Sequence, residues 1–294
     1  MKEMDYKIDD QYDQARLDRW LRTQFSGMPQ SLIERSIRKK EIVVNGARSK
    51  ASYRLQEGDV ITILRHIDLY TKEKDKPLRH CRTDIEQLLS SVIFGNDDFI
   101  ILNKPAGYAV QGGSGVKKSV IDLLNAGNTQ ADYKIVHRID KETTGLLVVA
   151  KGIKSARHFA ELFRTNAIRK TYIALVNGTI PIKSGIMQNK LLKVQDKVIV
   201  RDDGKDSLAK FEVICTFNNF SLVKVEPISG RMHQIRVQLA HLGYPIVGDL
   251  KYNSVDNEHK HLMLHASEIE FSDCDGEVCH FKAPLPNHFK KYLD

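Results

Sequence analysis

Asp140 is the residue in this chain best placed to do chemistry. It stands in His137-Arg138-Ile139-Asp140-Lys141-Glu142-Thr143-Thr144-Gly145, a polar turn directly before the apolar run 146–150. A turn braced by strands on both sides holds a side chain rigidly, as catalysis requires. Arg138 and Lys141 flank the aspartate, which suits an ionised nucleophile or base better than a proton donor. Taken alone, an Asp in a Thr/Gly turn also serves as an ordinary Asx-turn residue. A second segment, residues 230–243, opens a helix with Arg231, His233 and Arg236 near its first turn. Arginine there opposes the helix dipole and makes sense if a phosphate or carboxylate docks at that end. A solvated surface arginine is the plainer alternative. A third segment, Arg169-Lys170-Thr171-Tyr172, begins a strand. Tyr172 either fills the sheet or presents a ring on which a base stacks.

Other patterns carry less. Gly112-Gly113-Ser114-Gly115-Val116-Lys117-Lys118-Ser119 lacks the Gly-Lys-Ser/Thr triplet of a phosphate loop and reads as a mobile loop. Cys274, Cys279 and His280 lack a second ligand pair, so no metal site is expected. No paired-carboxylate or Ser/Cys nucleophile signature is present.

The elements that must position these residues follow from periodicity. Leu17, Trp20 and Leu21 recur at helical spacing, and Pro29-Gln30-Ser31 starts a second helix with Leu32, Ile33 and Ile37 inward. Arg35, Arg38 and Lys39 lie on its other side. Strands at 42–44 and 60–64 complete a small unit. From about residue 86, strands alternate with a few helices, among them a helix capped by Ser119 and one carrying Phe159 and Phe163. This predicts an α+β class with a mixed, mostly antiparallel sheet. The expected divisions are a polar tail at 1–15, a small α+β domain at 16–65, a linker at 66–85 and a second domain at 86–294.

The chain has 294 residues and a net charge of +8. Residues 16–65 hold eleven Lys/Arg against five Asp/Glu, so that segment alone carries +6. Such asymmetry suggests a segment built for a polyanion, although it also suits a solvated surface. No apolar run approaches the roughly 20 residues needed to span a bilayer. The N-terminus lacks a secretory signal, and four scattered cysteines fit a reducing cytoplasm.

Together and in this order, the segments resemble the RluA-type large-subunit ribosomal RNA pseudouridine synthases, in particular their RluC/RluD-like branch. Residues 16–65 resemble an S4 RNA-binding domain in Arg16-Leu17-Asp18-Arg19-Trp20-Leu21, Ile42-Val43-Val44-Asn45-Gly46 and Glu57-Gly58-Asp59. The catalytic domain of the family is matched by Ile101-Leu102-Asn103-Lys104-Pro105-Ala106-Gly107, by His-Arg-Ile-Asp ending at Asp140, and by 230–243 followed by Pro245-Ile246-Val247-Gly248-Asp249. Ile139 stands where Leu is commoner, and Met232 and Gln238 replace the commoner Thr and His. Those two replacements fall where they could tune substrate fit.

The resemblance implies a pseudouridine synthase fold preceded by an S4-like domain. It implies isomerisation of specific uridines in large-subunit (23S) ribosomal RNA, with no cofactor. Asp140 would be the essential aspartate; attack on the sugar, attack on the base and removal of a ribose proton all remain open to it. Tyr172 would stack on the uracil, Arg236 would pair with Asp140, and Leu264 would floor the base. Arg138 would help occupy the vacated space or hold the flipped conformation, since enzymes acting on bases extrude the nucleotide. Arg231, Lys170 and Lys104 would contact phosphates, and Arg35, Arg38 and Lys39 the RNA backbone. The expected partner is large-subunit ribosomal RNA or a pre-ribosomal particle, met by a cytoplasmic monomer without membrane attachment. Two alternatives are the same chemistry on transfer RNA or another RNA, and a non-catalytic RNA-binding ribosome-assembly factor. Lys193, Lys197, Arg201 and Lys205 either contact RNA or belong to a solvated hairpin.

Overall fold

The computed structural model describes residues 4–25, 28–64, 82–112, 116, 118–128, 130–253 and 261–292. Most of the expected linker, and the centre of the Gly-rich loop at 113–115 and 117, lie outside them. The chain forms two compact units, Met1–His80 and Cys81–Asp294.

In the first unit, strand β1 (Met4–Lys7) precedes helices α1 (Leu17–Gln24) and α2 (Gln30–Arg38) and strands β2 (Ile42–Val44) and β3 (Val60–Ile63). The three strands pair in the order β1-β3-β2. Leu17, Trp20 and Leu21 from α1 meet Ile33 and Ile37 from α2 over this sheet, because apolar residues three and four apart share one helix face. The N-terminal segment therefore departs from the expected polar tail. Residues 4–7 pair with β3, Ile8 is buried, and the Tyr6 ring packs edge-on to Trp20 at 5.4 Å. Alternation of Tyr6 and Ile8 with charged neighbours turns the apolar side chains inward.

The second unit begins with α3 (Arg82–Leu89), so residues 82–85 belong to a helix and not to the expected linker. Then come β4 (Val92–Gly95), β5 (Phe99–Lys104), α4 (Val120–Gly127), β6 (Tyr133–Ile135), β7 (Thr144–Lys151), α5 (Gly152–Arg164) and β8 (Arg169–Asn177). They are followed by β9 (Ser184–Val194), β10 (Lys197–Val200), β11 (Lys205–Phe217), β12 (Phe220–Pro227), α6 (Gln234–His241), β13 (Leu264–Ser272), β14 (Val278–Lys282) and α7 (Asn287–Lys290). Among the described residues one sheet runs β10-β9-β11-β12-β8-β13-β7-β5-β4, with β14 beside β13 and β6 beside β7. All its pairings are antiparallel except β13 with β7, which is the mixed α+β sheet expected.

Strand β7 shows why the sheet needs helices on both faces. Leu146, Val148 and Ala150 pack with Phe159 of α5, while Leu147 and Val149 pack with Leu123 and Leu124 of α4. A strand buried on both faces reads as a continuous apolar run. At its start, Gly145 has φ +105°, and a Cβ there would lie 2.2 Å from the Ala266 carbonyl oxygen of β13. Only glycine admits the one parallel pairing that joins the two halves of the sheet. The stretch carrying Lys193 and Lys197 is the β9–β10 hairpin, and Arg201 beyond it is bound by Asp203.

Candidate active site

The loop between β6 and β7 carries Asp140, and the start of α6 carries Arg236. The sheet brings them together. An Arg236 terminal nitrogen donates to Asp140 Oδ2 at 2.9 Å. The other two nitrogens of the guanidinium donate to both oxygens of Asp249 at 2.8 Å each. The helix-end anions anticipated for these arginines are thus, for Arg236, two carboxylates of the chain itself. Burial alone would lower the Arg236 pKa, but its bonds to Asp249 and Asp140 hold it above the ordinary value. A planar five-donor fork suits three bonds to two carboxylates; a lysine cannot make them. Asp249 is itself fixed, because one of its oxygens accepts from the backbone N–H groups of Lys251 and Tyr252. Adjacent Gly248 has φ +74°, and a Cβ there would lie 1.9 Å from the His261 carbonyl oxygen.

Asp140 opens onto a cavity of about 340 Å³. Such a volume falls within the range of small-ligand pockets. Tyr172 and Leu264 form part of its wall from adjacent strands. Tyr172 pairs with Ala266 and Ala174 with Leu264, so Tyr172 and Leu264 share one face of the sheet diagonally. Burial first, and Asp140 second, push the Tyr172 hydroxyl pKa above its ordinary value, so the ring is a neutral phenol at physiological pH. Arg138, Lys170 and Arg231 also line the cavity, as do Phe163, Met232 and His233. Arg138 and Arg231 are exposed. The Arg231 Nε donates to the Asp206 carbonyl at 3.1 Å. Lys170 lies 5.8 Å over the Phe163 ring, and burial lowers its pKa. Behind them His137 stacks on Phe163 at 4.3 Å and its Nε2 accepts from the Val148 backbone N–H at 2.8 Å.

Two sequence readings need correction. Lys104 is fully buried and does not face a phosphate. Its ammonium donates to the carbonyls of Pro105, Tyr108 and Lys141 at 2.9, 3.1 and 3.0 Å. It ties the loop after β5 to the residue following Asp140, and Gly107 N–H donates to the same Lys141 carbonyl. Burial lowers its pKa to about 7, against the pull of Glu142 and Asp140. Gln238, the other, does not tune the cavity. It is buried on α6, and its amide nitrogen donates to the Met187 carbonyl, Asn189 and Ser207 of β9 and β11. Met232, in contrast, does line the cavity. Arg35, Arg38 and Lys39 are exposed on and just after α2, in the other unit.

Sequence reading missed three participants. Asp249, Tyr252 and His233 lie in the quoted segments or just after them, yet none received a role. The Gly-Asp pair was the available signal for Asp249, since a glycine at positive φ frees the next side chain to turn inward.

Comparison with known proteins bears on the family and the fold. Residues 98–241 match the family model described as RNA pseudouridylate synthase, and residues 15–61 match the S4 domain. A protein of Haemophilus influenzae named ribosomal large subunit pseudouridine synthase C is 36% identical over 95% of this chain and 90% of its own length. Its namesake in Vibrio vulnificus is 38% identical over 97% of this chain and 94% of its own length. Among solved structures, human RNA pseudouridylate synthase domain containing 4 shares the fold with a TM-score of 0.63, at 22% identity over 72% of this chain and 94% of that one.

Proposed function

The chain belongs to the RNA pseudouridylate synthase family, and from that membership we propose that it isomerises specific uridines of large-subunit ribosomal RNA with Asp140 as the catalytic carboxylate. The observation that carries the assignment is the state of Asp140. One oxygen is held by Arg236 while the side chain borders a cavity walled by Tyr172 and Leu264.

The reaction breaks the bond from uracil N1 to ribose C1′, turns the base and forms a bond from C5 to C1′. C5 loses a proton and N1 gains one, so the change is redox-neutral and needs no cofactor. Arg236, locked by Asp249, keeps the Asp140 carboxylate aimed. Tyr172, as a neutral ring, offers a face on which uracil stacks, with Leu264 beside it. The target must leave its helix, at a cost of a few kcal/mol. Arg138, exposed beside the cavity, occupies the vacated space or holds the flipped state. Arg231 and Lys170 meet flanking phosphates, and Arg35, Arg38 and Lys39 of the S4 unit meet the RNA backbone, adding salt-dependent affinity. The enzyme works as a monomer in the cytoplasm, where it meets ribosomal RNA or a pre-ribosomal particle.

Mapping pseudouridines in ribosomal RNA by carbodiimide-dependent reverse-transcriptase stops tests this. Stops present in wild-type cells and lost both in a deletion strain and in that strain carrying Asp140→Asn support it. Identical stops in all three strains remove ribosomal RNA as the substrate.

A further inference from the structure

The same cavity holds a second partner for Asp140. His233 Nε2 lies 3.9 Å from Asp140 Oδ1, the oxygen that Arg236 does not bind. Its other ring nitrogen, Nδ1, lies 2.6 Å from the Tyr252 hydroxyl. That hydroxyl also accepts from the Val198 backbone N–H at 3.0 Å, and it still has its own proton to give. A carboxylate oxygen accepts, so the tautomer that suits Asp140 carries its proton on Nε2, and Nδ1 then accepts from the Tyr252 hydroxyl. The Tyr252 ring also lies under the Arg236 guanidinium at 5.1 Å, so one tyrosine braces both partners of the carboxylate.

His233 precedes α6 with φ 52° and ψ 20°, the left-handed region, and its side chain makes no cap bond to the helix. Glycine adopts this conformation freely, so a glycine at 233 keeps the backbone path while removing the ring. The groups facing the ring are Asp140, Asp249, Arg236, Lys251 and Tyr252. Burial keeps the imidazole pKa below its ordinary value even with Asp140 near, so the ring is neutral at physiological pH.

We propose that His233 is a positioning residue for Asp140, with its ring set by the Tyr252 hydroxyl so that Nε2–H faces Oδ1. A carboxylate held at one oxygen by a single bond can still rotate; the imidazole restricts that rotation and fixes the oxygen presented to the nucleotide. The separation of 3.9 Å closes to a hydrogen bond when substrate tightens the site, as catalytic contacts commonly do. The inference rests on Asp140 being the catalytic carboxylate.

The test uses the full-length chain and ribosomal RNA transcribed with tritium at uridine C5, following tritium release together with thermal melting. His233→Gly removes the ring and keeps the backbone path. The expected result is a kcat lower by about 10- to 100-fold, a KM within about 3-fold, and a melting temperature equal to or above that of wild type. His233→Gln, which restores an N–H donor, recovers part of the rate. Tyr252→Phe keeps the ring under Arg236 and lowers kcat by about 3- to 10-fold. A His233→Gly enzyme with wild-type kcat overturns the proposal, as does a parallel loss of rate and melting temperature that His233→Gln leaves unrepaired. Asp140→Ala is measured alongside: if it stays active, the assignment of Asp140 itself fails; if it is inactive while His233→Gly is fully active, only the role of His233 fails.

Discussion

Replacing Lys104 by methionine separates two roles a lysine near an RNA site can have. Methionine keeps most of the buried volume and removes the ammonium. The three carbonyls of Pro105, Tyr108 and Lys141 lose a donor, at about 1–3 kcal/mol each. Lys141 keeps the bond from Gly107 N–H, so its share falls at the low end. Against this stands the desolvation that sets the Lys104 pKa at about 7 instead of 10.5, worth about 5 kcal/mol at 1.36 kcal/mol for each pH unit. The two terms are of similar size, so the unfolding free energy from urea titration changes by a few kcal/mol at most. Catalysis does not share in that cancellation, because the tether to the residue after Asp140 is gone. A misplacement on the ångström scale lowers kcat by up to about 100-fold. RNA affinity and its salt dependence stay as in wild type, since no phosphate contact has been removed. The assay is single-turnover pseudouridine formation, with binding measured across a salt series. A log–log salt slope smaller by about 0.7–0.9 with kcat unchanged would restore Lys104 as a phosphate ligand and refute this reasoning.

Three further outcomes follow from the geometry. Asp249→Asn weakens a buried pair in which Arg236 makes two of its three bonds; unfolding free energy falls by about 3–5 kcal/mol in urea titrations and pseudouridine formation falls with it. Gly145→Ala and Gly248→Ala each drive a Cβ into a backbone carbonyl at positive φ and lose at least about 3 kcal/mol; an unchanged urea midpoint would contradict the packing described. His137 has a folded pKa of about 3, below the 6.5 of a free imidazole, so the unfolded chain takes up the proton first. Its contribution is intact above pH 6.5 and is lost as pH falls toward 3, by about 1.4 kcal/mol per pH unit. Relative to wild type, His137→Phe flattens stability across that window in melts at graded pH.

What pointed to the site in the sequence was the order of its motifs and the family they resemble. Taken singly, an aspartate in a Thr/Gly turn, an arginine in the first turn of a helix and a tyrosine in a strand each have an ordinary structural use. Their meeting is a property of the sheet: Asp140 and Arg236 lie 96 positions apart and touch at 2.9 Å. What could not be read was the environment of charged groups. Lys104 in Asn-Lys-Pro has the local look of an exposed turn. It is buried because three carbonyls from two loops converge on it, and no local pattern records a convergence of carbonyls. Gln238 sits among residues that line the cavity, yet helical rotation turns it toward β9. Residues 4–7 looked like a tail because two apolar residues among charges are a weak alternation, and only pairing with β3 gives that alternation meaning.

Strand β13 has a temporal consequence. It lies between β8 and β7, carries Leu264 of the cavity wall, and bonds His265 to Thr144 across 121 positions. At a synthesis rate of about 5–20 residues per second, the ribosome takes roughly 6–24 s to go from one to the other. During that interval the two halves of the sheet exist without the strand that joins them, and the cavity lacks a side.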